Sequence, residues 1–158
     1  MTVERRRYSL HEAAHVVGCI LLGAKIRHAA APGGDGENQV VHEAVPDDDG
    51  SGNMLISLMG VAAEQVYGYR ERVARGVIWP SKLTGCDRDL RNAYDRALSM
   101  VGPQRADDLY VQTWKRARSF VIDYMVGLER LADLLEAHAE VDGHQIHAVA
   151  RLEGDAYG

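Results

Sequence analysis

Only two of the 158 residues are cysteines, Cys19 and Cys86, and they lie far apart. That excludes a disulfide framework and any pair of thiolates at zinc-knuckle spacing. Excess positive charge is missing as well. The net charge is -5, and the one basic cluster, Arg5-Arg6-Arg7, is too short to form a polyanion-binding patch. No nucleic-acid partner is expected, and the three arginines read as a solvated face at the start of a helix. Long apolar runs are absent: Val16 to Leu22 is the longest, far short of the ~20 residues that span a bilayer, so no membrane association is expected. The first residues lack the basic, apolar and small-residue succession of a signal peptide, which predicts a cytoplasmic protein. No Gly-rich loop followed by Lys-Ser or Lys-Thr occurs, which excludes a phosphate-cradling nucleotide site within these residues. Repeats and low-complexity tails are also lacking.

What remains is an ordinary globular composition, 46% hydrophobic and 26% charged, which suits one domain over 1–158 with a sizeable core. Residues 3 to 22 read as a helix, apolar on nearly every face from Leu10 onward. Two short extended runs, Lys25 to Ala30 and Gln39 to Val45, flank a Gly-rich loop at 33 to 36 and suggest a β-hairpin or edge strand. A second apolar helix is expected over Asn53 to Tyr67 and an amphipathic one over Asp87 to Met100. Ala106 to Ala139 predicts one long helix, or two meeting near Gly127. A short helix from Gly143 to Leu152 closes the chain. The expected class is mainly α, a compact helical domain with a small β element after the first helix.

Between Leu10 and Leu22 the only strongly polar side chains are His11, Glu12 and His15. Burying two imidazoles and a carboxylate is costly unless something satisfies them. Residues four apart lie about 40° apart around a helix axis, so both imidazoles reach one ion. Glu12, one residue past His11, contacts a water at that ion without being a ligand, as in the HExxH motif of zinc peptidases. A five-residue pattern also arises by chance, but chance matches sit on mixed polar surfaces. Here the flanks are apolar, which favours a Zn2+ site with Glu12 as general base.

A catalytic zinc site takes three protein ligands and one open position, and no third His follows at metzincin spacing. Two carboxylates compete for the role. Glu64 is the only charged residue of the helix Leu55 to Tyr67. Asp89 shares a face with Ala93 and Ala97, opposite Arg88, Arg91 and Asp95. Asp87 reads better as an N-cap. The residues alone leave Glu64 and Asp89 close.

Three ordered motifs resemble the peptidase domain of the FtsH-family zinc proteases: His11-Glu12-Ala13-Ala14-His15, then Gly60-Val61-Ala62-Ala63-Glu64, then Thr84-Gly85-Cys86-Asp87-Arg88-Asp89-Leu90 followed by Met100-Val101. Leu131-Ala132 and Val141-Asp142-Gly143 are similar to the family's closing helices. The resemblance implies Asp89 as third ligand and Glu64 as a supporting carboxylate that orients a ligand His. It further implies an edge strand that receives substrate by β-addition, falling on Lys25, Ile26, Arg27 and His28. The chain departs from the family in having Ala14 for Gly and Arg88 for Asn, and in lacking an ATPase module and membrane anchor within these residues. The implied function is a stand-alone zinc endopeptidase acting on peptides or unfolded protein, or served by a separate ATPase or adaptor. The alternative is a non-catalytic metal-binding or protein-interaction module on the same fold. The oligomeric state is left open. Cys19 and Cys86 read as small buried thiols, and His28, His42, His138, His144 and His147 as surface residues.

Overall fold

The computed structural model describes residues 3–30, 40–46, 49–70, 76–80, 88–138 and 140–152. Helix α1 (Val3–Leu21) leads through a tight turn into strand β1 (Ile26–Ala29), followed by β2 (Val40–His42) and helix α2 (Ser51–Val66). Helices α3 (Arg88–Val101), α4 (Ala106–Asp123) and α5 (Met125–Ala137), strand β3 (Val141–Asp142) and helix α6 (Gly143–Leu152) complete the chain. The fold is mainly helical with one small antiparallel sheet, as the periodicities predict.

Helix α2 is the hub. It packs on α1, α3 and α4, while α5 packs on α1. Its composition explains this position: from Met54 to Gln65 every residue but Ser57 is buried, so the helix finds no stable place except between others. Full burial of each large apolar chain, such as Leu55, Leu58 or Met59, contributes about 1.5–3 kcal/mol. Helix α3 buries only Leu90, Ala93 and Ala97, the single stripe expected of a surface helix.

The two helices that carry most of the site end in the same way. At the end of α1, the Ala24 N–H donates to Cys19 O and the Gly23 N–H to Ile20 O, with Gly23 at φ 71°. At the end of α2, Tyr69 N–H donates to Glu64 O and Gly68 N–H to Gln65 O, with Gly68 at φ 81°. Both are Schellman turns, which need a left-handed residue and therefore favour glycine.

The structure departs from the sequence expectations in four places. First, β1 is not an edge strand. The sheet order is β2-β1-β3, and β1 pairs antiparallel with both neighbours (Ile26 with His42, Ala29 with Val40 and with Val141). Lys25 O is taken by the Glu43 N–H at 2.7 Å, and Gly143 lies directly against Ile26 O. Strand addition along Lys25, Ile26, Arg27 and His28 would therefore have to compete with β2 on one side and with β3 at His28 on the other. Second, β3 was not expected at all, being two residues long and paired across more than a hundred residues of sequence. Third, the α4–α5 break falls at Tyr124 (φ -112°, ψ 25°), a few positions before Gly127. Gly127 is buried inside α5. Fourth, the arginine cluster is not merely solvated. Arg6 pairs with Asp133 and Glu136, Arg5 donates to Glu136 O, and Arg7 reaches Glu64.

Candidate metal centre

His11 and His15 occupy successive turns of α1, on the face that meets α2. His15 is oriented by the backbone: its Nδ1 lies 2.7 Å from Ile56 O. A carbonyl oxygen only accepts, so Nδ1 carries a proton, which makes Nε2 the atom that can offer a lone pair to a metal. His11 is oriented by a side chain. Its Nδ1 donates to Glu64 Oε1 at 2.7 Å, which likewise leaves Nε2 as the free donor atom. The two Nε2 atoms face each other at 3.0 Å, and Asp89 Oδ2 lies 3.1 Å from one and 3.2 Å from the other.

Three electron-pair donors thus converge on one point. Without a cation between them they repel. Ligand bonds of about 2.0 Å in a tetrahedral zinc site set the donors about 3.3 Å apart, close to the spacing here. Glu12 stands beside them: its carboxylate and a ring nitrogen of each of His11 and His15 lie within 4.8 Å of one another. The two imidazoles and Asp89 fit a zinc ion by donor type, count and spacing.

Charge at the site follows the same logic. Burial disfavours an imidazolium at His11, yet hydrogen bonds to Asp89 and Glu64 outweigh it and push the group up to about 10. In the metal-free chain a proton takes the cation's place. His15 is raised as well, burial opposing and Asp89 favouring the charged form. Burial alone would raise Glu64, but His11 and Arg70 hold it down to about 2. Asp89 is also held well below the usual carboxylate range, because its contacts with His11 and His15 outweigh its burial. Glu12 moves the other way: burial raises it, and the charges of Asp89 and Glu64 add to the effect against His15 and His11. The site therefore holds one carboxylate with a heightened proton affinity beside two that stay ionised.

The side chain of Glu64 is 3% exposed and serves three partners. Besides His11 it accepts from Arg70 Nε at 2.7 Å and Arg7 Nη2 at 3.1 Å, both on Oε2. The Schellman turn at Gly68 folds the chain back and brings Arg70 to this carboxylate. The sequence left Glu64 and Asp89 undivided; in the structure they meet opposite nitrogens of the same ring, Glu64 at Nδ1 and Asp89 at Nε2.

Three contributors escaped the sequence reading. Arg7 had a signal, since it precedes His11 by four residues and so shares its face. Arg70 had none, because its approach depends on a turn. The Ile56 carbonyl is backbone and carries no residue-type signature. Cys19, four residues after His15, is buried in the core and outside the donor group, its thiol pushed up to about 12 by burial. Cys86, Asp87 as N-cap and the glycine-rich loop at 33 to 36 lie outside the described residues. Trp79 stacks on Tyr110 of α4 with centroids 4.9 Å apart rather than lying over the donors. A polar cleft of about 420 Å³ between α2 and α3, lined by Ser57, Asn92, Asp95, Arg96 and Ser99, contains none of the donor residues. No helix among the described residues is long and apolar enough to cross a membrane. No protein-family model matches the chain, and no curated protein matches it.

Proposed function

We propose that this chain is a zinc-dependent endopeptidase of the FtsH peptidase type, with His11, His15 and Asp89 as ligands and Glu12 as general base. The observation that carries the reading is the convergence of the two Nε2 atoms and one carboxylate oxygen within 3.0–3.2 Å of each other. Each imidazole has its other nitrogen committed to an acceptor, the supporting arrangement common to metal-binding histidines. Bound zinc supplies Lewis acidity, making water acidic enough to lose a proton near neutral pH and polarising a carbonyl.

The chain's own residues do the rest. Glu12 takes the proton from the attacking water at its carboxylate and later gives it to the leaving amine. Its raised proton affinity suits both steps. Asp89 and Glu64 remain ionised and balance the positive charge. The buried face of α1 keeps bulk water from the imidazoles, and the 25% exposure of the Asp89 side chain leaves an approach from the α3 side. Peptides and unfolded segments are the proposed substrates, since no module that could unfold a folded one occurs within these residues. A separate ATPase or adaptor would supply them.

The test is metal content and casein hydrolysis on the purified chain. Wild type is expected to bind about one zinc per chain. Glu12→Gln should keep the zinc and lose at least about 10²-fold in turnover. A chain that neither carries zinc nor takes it up when supplied overturns the reading. Zinc binding without cleavage of casein would assign the site to a non-catalytic metal-binding module instead.

A further inference from the structure

We propose that Gly60 is a positioning residue of the metal centre, its hydrogen in place of a side chain forming the floor on which the His11 ring lies. The inference rests on the zinc reading for its functional meaning and on geometry for its substance. A Cβ built at Gly60 would stand 2.5 Å from His11 Nε2 and 2.7 Å from both Cδ2 and Cε1. Real Cβ atoms do not approach heavy atoms so closely. The near equality of the three distances is informative. A carbon lying in the ring plane beyond Nε2 would be markedly farther from Cδ2 and Cε1 than from Nε2. The Cβ would therefore sit over the face of the ring at its metal-binding end.

The ring cannot yield cheaply. Glu64 holds Nδ1 at 2.7 Å and Asp89 contacts Nε2 at 3.1 Å, so sliding away from α2 breaks one contact or misdirects the other. The contrast with Gly18, the other close approach between α1 and α2, shows the difference. There a Cβ would meet Met59 Sδ at 2.8 Å and Ile56 Cγ1 at 3.3 Å, and a thioether swings aside readily. Gly60 also stands one helical turn before Glu64, on the same face of α2. One short stretch of that face thus provides both the floor under the His11 ring and the acceptor at its edge. Nothing about helix α2 itself asks for glycine at 60, since alanine is the better helix former.

The experiment compares four chains: wild type, Gly60→Ala, His11→Ala and the double variant. Zinc affinity is read by competition with a chromophoric chelator, and melting temperature is read without metal. Gly60→Ala is expected to weaken zinc binding about 10- to 100-fold, the range for loss of a ligand's supporting partner, and to lower the metal-free melting temperature. In the His11→Ala background the same change should leave that temperature unchanged or raise it, because the obstructing ring is gone. Wild-type zinc affinity in Gly60→Ala overturns the proposal. So does an equal fall in melting temperature in both backgrounds, which would trace the requirement to the backbone rather than the ring. If Gly60→Ala alone fails to fold, a folded double variant supports the proposal and an unfolded one overturns it. A wild type that binds no zinc sinks the proposed function, while the melting comparison still decides the Gly60–His11 relation.

Discussion

At the residue scale, Glu64 concentrates the most consequence. It is buried, ionised and shared among His11, Arg7 and Arg70. Replacing it with Gln keeps the shape but removes the charge that fixes the His11 proton on Nδ1. We expect Glu64→Gln to lower zinc affinity about 10- to 100-fold, measured by chelator competition. Its effect on stability should depend on pH with a defined sign. The folded carboxyl titrates at about 2, below its ordinary range, so the unfolded chain binds more protons over that interval. The carboxylate's contribution is therefore complete above about pH 4.5 and disappears as pH falls through the folded value. Urea midpoints of metal-free wild type and Glu64→Gln should differ most near pH 5 and converge toward pH 2. A constant difference would mean that the charge is not what stabilises. Cys19 gives a second residue-scale outcome. Its buried thiol, pushed up to about 12, should resist iodoacetamide at pH 8 in the native chain and react once urea unfolds it, as mapped by mass spectrometry.

The legibility of these residues followed their chemistry. His11, Glu12 and His15 stood out because polar groups inside an apolar helix demand a reason. Asp89 and Glu64 could not be ranked, because each is a carboxylate on the inward side of its own helix; only the side of the ring that each meets distinguishes them. Gly60 was visible as a letter in a motif, but its meaning required knowing which ring crosses it.

At the scale of elements, the helices were readable and their junctions less so. Apolar periodicity marked α1 to α4 to within a few residues. Tyr124 is a break without a breaker: neither Gly nor Pro occupies it, and the chain turns there because α4 packs on α2 while α5 packs on α1. The strand β3 depends on pairing with β1 and has no local signal. Gly68 offers a test at this scale. Its φ of 81° disfavours any other L-residue, so Gly68→Ala should destabilise the chain by about 1–2 kcal/mol, read as a lower urea midpoint at unchanged slope. Because the same turn delivers Arg70 to Glu64, zinc affinity should fall with it.

For the molecule as a whole, the donors tie the first helix to the third, although 73 or more residues separate Asp89 from either histidine. A ligand bound only by the folded state stabilises it by mass action, about 2.7 kcal/mol at a hundredfold excess over its dissociation constant. For a chain of this length that corresponds to a rise in melting temperature of about 5–10 °C. Scanning calorimetry with zinc and with EDTA should show this shift, and His15→Ala should abolish it. Identical melting curves would mean that the two helices are held by packing alone.

The position of β1 between two partners bears on how such a protein survives its proposed diet. The strands outside it are three and two residues long, so among the described residues the sheet presents very little unpaired backbone at either margin. Long, open margins recruit passing chains into growing sheets. A molecule that meets unfolded polypeptide continually would be a natural seed for aggregates if its sheet could be extended at will. With margins this brief, a stray chain finds too few hydrogen bonds to stay.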